Sequence, residues 1–184
     1  MKPTFREDKA VQAAALFLKL RGNNNKMSHL KLMKLLYLAE RESLLRWGRP
    51  ITYDSCVSMD HGPVLSQTLN LVNGDITIDG VWERFISSPE HHEVALIEDP
   101  GDDRLSDAEE QLIREIFAKH GAKTRWEIRD FTHTLGEWQD PKGSSIRIDY
   151  QEILRAGNKG DSEIASILED IETLAIAEKF SGRE

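Results

Sequence analysis

Between His29 and Trp47 the apolar residues Leu30, Met33, Tyr37 and Leu44 fall on one stripe, flanked by Leu32, Leu36 and Ala39. That spacing predicts a helix, and the width of its apolar face predicts central burial. Ser28 stands where an N-cap belongs, Gly48 stops the helix, and Pro50 prevents its renewal. An alanine- and leucine-rich stretch from Phe5 to Leu20 predicts an earlier helix, opened by a Thr4–Glu7 capping box and ended at Gly22-Asn23-Asn24-Asn25. After Pro50, Ile51, Tyr53, Val57 and Met59 alternate with Thr52, Asp54, Ser58 and Asp60, the period of a half-buried strand. Pro63 suits the first turn of a helix running to Val72 before Asn73-Gly74. Trp82–Ile86 and Glu93–Ile97 read as a hairpin turned at Ser87-Ser88-Pro89-Glu90, and residues 99–103 as a loop.

The second half is helical. Ser106 with Glu109, Thr124 with Glu127 and Asp149 with Glu152 each make a capping box. The helices they open end at His120-Gly121, near His133 or Leu135, and at Gly157, with a loop over 141–145. A last helix from Asp161 to about Lys179 carries Ile164, Ile167, Leu168, Ile171 and Leu174 on one face. The pattern predicts a helix-dominated α+β fold of about six helices, with a small antiparallel sheet or hairpin in the first half. It divides into a body over 1–157 and a helical C-terminal appendage over 158–184.

Composition narrows the classes. A chain of 184 residues can bury a full core without disulfides or metal. The lone Cys56 excludes an intrachain disulfide and fits a reducing, cytoplasmic setting. No apolar h-region opens the chain, and no run approaches the ~18 apolar residues of a membrane span. The net charge of −8 is uneven: residues 1–49 carry net +7 and residues 50–184 net −15. Either the two parts neutralise each other on packing, or a basic face awaits an acidic partner. Repulsion from the acidic remainder argues against nucleic acid.

Candidate chemistry is thin. His92-Glu93 begins a zincin-like motif, but Leu96 stands where the second histidine would be needed. His91 and His92 read as turn residues, and His120 as a side chain suited to a helix C-terminus. Cys56 lies mid-strand with no helix N-terminus beside it to activate the thiol. Phosphate-loop spacing is absent. Four tryptophans, Trp47, Trp82, Trp126 and Trp138, are candidates for buried anchors or an interface hot spot. The corner Asp60-His61-Gly62-Pro63 joins a strand to a helix, where backbone N–H groups can hold an anion or a carboxylate. His133 either pairs with His61 or an acidic neighbour, or makes a structural hydrogen bond.

Three pieces resemble a known family. They are Lys31-Leu32-Met33-Lys34-Leu35-Leu36-Tyr37-Leu38-Ala39, then Gly48-Arg49-Pro50, then His61-Gly62-Pro63-Val64. Leu105-Ser106 and Thr132-His133 followed by Trp138 extend the resemblance to roughly residues 10–155. In this order they are similar to the SocA-like, or Panacea, antitoxin domain, with departures at Asp60 and Thr134. The resemblance implies a bacterial or phage-associated, cytoplasmic antitoxin that neutralises a cognate toxin by direct protein binding. It implies neither enzyme activity nor a cofactor or metal. Partner-binding candidates are Asp60, His61, Gly62, Pro63, Tyr37, His133 and Trp138, and a homodimer is a further expected assembly. Two other readings stay open: a nucleic-acid-binding regulator, and a metal hydrolase using His61 and His133.

Overall fold

The structure is a computed structural model that describes residues 2–78 and 80–181. Helix α2, His29–Trp47, is its axis. Leu32, Leu35, Leu36, Tyr37, Leu38, Ala39 and Leu44 are all buried, so apolar contact surrounds the helix instead of following one stripe. It packs against α1 (Glu7–Arg21), α5 (Asp107–His120), α6 (Arg125–His133) and α7 (Tyr150–Ala156). Gly48 closes it in the left-handed conformation at φ 65°, donating its N–H to the Leu44 carbonyl.

The remaining elements are short. Strand β1 (Lys26–Ser28) pairs antiparallel with β4 (Glu93–Ala95). Strands β2 (Cys56–Met59), β3 (Gly62–Leu65) and β5 (Ile146–Ile148) form an antiparallel sheet in the order β3-β2-β5. Helices α3 (Ser66–Asn73) and α4 (Val81–Phe85) follow the hairpin, and α8 (Asp161–Ser181) packs on α7. Among the described residues there are eight α-helices where about six were expected, and the sheet recruits β5 from the second half. No helix among them is long and apolar enough to cross a membrane.

Buried carboxylates account for most departures from the sequence pattern. Residues 51–55 do not join a strand, because the buried Glu40 takes the N–H groups of Ile51 and Thr52 at 3.0 Å and the Thr52 hydroxyl at 2.9 Å. In the short strand that does form, Cys56 and Ser58 face inward, the reverse of the expected phase. Pro63 lies in β3, opposite Ser58, and opens no helix. Helix α3 starts at Ser66 because the buried Asp54 accepts from the N–H groups of Gln67 and Thr68 at 2.9 and 2.8 Å. Glu7 caps nothing with Thr4. Its carboxylate receives the Trp82 N–H at 2.9 Å, and Val81–Phe85 coils into α4 instead of a hairpin strand. Of that hairpin, the isolated Ile86–Leu96 and Glu90–Glu93 bridges remain.

The three later capping boxes all form. Ser28 occupies the N-cap position of α2 without making a side-chain cap bond. In α8, Ile164, Ile171 and Ala175 are buried against the body, while Leu174, Ile176 and Phe180 remain exposed. Ile167 sits against the backbone of Gly48.

Candidate functional site

The β2–β3 turn is the two residues Asp60-His61, and the end of α6 comes up against it. Gly62 makes the approach possible. It takes φ +94°, and a Cβ there would lie 2.6 Å from the Thr132 hydroxyl and 3.3 Å from the His133 ring. Lys34 reaches the same point from α2. Its ammonium is buried and donates to the Pro63 carbonyl at 2.8 Å. No carboxylate pairs with it among the described residues, and burial pushes its pKa down to about 7.

The sequence-distant candidates meet here. The His133 ring stacks on Trp138 with centroids 4.1 Å apart and lies against the backbone of Gly62. Burial, and next the Arg129 and Lys34 charges, lower the His133 pKa. The Trp138 indole N–H donates to the Met59 carbonyl at 3.1 Å, and Asp60 receives the Gly143 N–H at 2.9 Å. Asp60, Gly62, Pro63, His133 and Trp138 therefore form one structural knot around the turn. Tyr37 lies elsewhere in the core, fully buried, donating to Glu137 at 2.9 Å beside an Arg41–Glu137 ion pair of 2.6 Å. It braces the residue before Trp138 and presents no surface.

His61, exposed like Asp60 beside it, meets the edge of Trp126 with its ring at 6.2 Å. Trp126 is 44% exposed, on the outer face of α6. The guanidinium groups of Arg125 and Arg129 each lie 4.8 Å from its ring. Nothing in the hydropathy pattern separates Trp126 from the other tryptophans. The spacing Arg125-Trp126-x-x-Arg129 on a polar helix face was the available clue.

Other candidates disperse. Among the described residues no hydrogen bond or ring contact joins His61 to His133, or either to Cys56. Cys56 is buried, which drives its thiol pKa up and away from nucleophilic use. His92 sits in a left-handed turn, its carbonyl 3.0 Å from His29 Nδ1. Burial lowers the His120 pKa to about 4. No group of three His, Cys, Asp or Glu among the described residues is placed to hold a metal ion.

Residues 32–139, more than half of the chain, match the family model described as antitoxin SocA-like, Panacea domain. The match runs from α2 through the turn and α6 to the residue after Trp138. Comparisons with curated proteins and with solved structures give no match.

Proposed function

From the premise that this chain belongs to the antitoxin SocA-like Panacea family, we propose that it neutralises a cognate toxin by forming a direct protein complex. The observation that carries the reading to a surface is Trp126. It is a half-exposed aromatic side chain held between two arginines and touched by His61. Tryptophan and arginine are the residue types most enriched where few side chains dominate binding. The knot around Asp60, Pro63, His133 and Trp138 is then the rigid support of that surface. It keeps the ring ordered in the free protein, which lowers the ordering cost of association.

The test is co-expression with the protein encoded by the adjacent reading frame. Growth rescue and co-purification are expected. Trp126→Ala should weaken the complex about 30-fold, as loss of a hot spot worth about 2 kcal/mol requires. Trp47→Ala, at a tryptophan of similar exposure, should leave it unchanged. Absence of both rescue and co-purification removes the reading for that neighbour.

A further inference from the structure

Beside Trp126 lies a cleft of about 340 Å³, lined by Arg21, Lys26, Lys31, Lys123 and Arg125. Glu93 is the one acidic side chain on its wall. None of the five cations has an ion-pair partner among the described residues. Of the described arginines only Arg21, Arg49 and Arg125 lack one, and two of those three are here. Lys31 spends its ammonium on the Gly121 carbonyl at 2.6 Å, and its pKa is lowered by burial and then by the Arg21 charge. The second cause marks positive charge facing positive charge, and Glu127 in the first turn of α6 acts against it. The N-terminus of α6 points its helix dipole into the same region, adding to the field.

We propose that this cleft receives a short acidic segment of a protein partner, its carboxylates bridging Lys26, Lys123 and Arg125. The proposal rests on the antitoxin reading and names the charge of the partner's contact. A volume at the low end of small-ligand pockets suits a few side chains. A long polyanion would have to pass a body that carries net −15 over residues 50–184. The cleft shares Arg125 with the Trp126 stack, so charge recognition and the aromatic anchor form one continuous surface.

The probe is fluorescein-labelled hexaglutamate, followed by anisotropy at low ionic strength. Binding should weaken as salt rises, and fall at least about tenfold in the Lys26→Glu/Lys123→Glu variant. The Arg155→Glu/Lys179→Glu variant, with the same net charge change at exposed sites on α7 and α8 outside the cleft and the Asp60 turn, should bind as the parent does. Circular dichroism confirms that both variants fold. No binding by the parent, or equal loss in both variants, overturns the proposal. So does tighter binding of an oligothymidylate of equal charge, which assigns the cleft to nucleic acid. The peptide assay needs no toxin, so its result is separate from that of co-expression. If the toxin co-purifies equally with both variants, the cleft assignment falls and the antitoxin reading stands.

Discussion

Lys34 is held in the core by one carbonyl, with no ion-pair partner among the described residues, so its proton is sensitive to folding. Its ordinary pKa of 10.5 falls to about 7 in the folded chain. Between those values the unfolded chain holds a proton that the folded chain has shed. Stability from this group therefore rises with pH across the window and is lost as pH falls from 10.5 toward 7. Buried Tyr37, Tyr150 and Cys56 titrate in the opposite sense, since burial raises their pKa values. Comparison with Lys34→Met cancels those contributions. Urea denaturation from pH 7 to about 10 should show the difference in unfolding free energy moving toward the parent by more than about 1 kcal/mol. A pH-independent difference would mean that Lys34 stays protonated in the fold. Glu40 runs the other way: burial raises its pKa to about 7, so its contribution is lost as pH rises from 4.5 through 7.

At the scale of elements, helices and strands were fixed by different things. The helix starts at Ser106, Thr124 and Asp149 and the stops at Gly48, Gly74 and Gly157 are local, and the sequence displays them. The strand ends of the first half are set by Glu40, Asp54 and Glu7, whose carboxylates bind amides 11 to 75 residues away in the 51–52 loop, α3 and α4. Hydropathy alternation cannot reveal such a bond, and it misled at residues 51–55, Pro63 and Trp82. The site divides in the same way. The turn and its distant partners His133 and Trp138 were legible as motifs, whereas Trp126 gained meaning only when folding set His61 beside it. Asp54 tests the point. It satisfies the amides of Ser55, Gln67 and Thr68 and the Thr68 hydroxyl. Asp54→Ala leaves several buried donors unpaired and should cost at least about 3 kcal/mol. Ser106→Ala removes one exposed cap and should cost about 1 kcal/mol. Equal midpoint shifts in urea for the two variants would refute this placement of the strands.

Over the whole molecule, part of the charge asymmetry is consumed by folding. Lys9–Glu109, Lys19–Asp99, Arg41–Glu137 and Arg46–Glu115 each tie the basic first 49 residues to the acidic remainder. Such pairs add little stability where exposed, but they remove basic side chains from the surface. Arg21, Lys26 and Lys31 keep no such partner and meet Lys123 and Arg125 in one cleft, on a molecule whose net charge is −8. A local field of that kind acts mainly on encounter, because it draws an acidic partner in before contact is made. In the proposed complex Trp126 acts after contact, when its ring loses water, and so governs dissociation. The two should separate in the kinetics of complex formation. Lys26→Glu/Lys123→Glu should lower the association rate about tenfold or more and flatten its dependence on salt, with little change in dissociation. Trp126→Ala should raise the dissociation rate about 30-fold and leave association and its salt slope almost intact. Stopped-flow fluorescence over a series of salt concentrations distinguishes the patterns. If the charge reversals instead speed dissociation alone, the cleft makes desolvated ion pairs in the complex and does not steer. If Trp126→Ala slows association, the ring takes part in the encounter and is no late anchor.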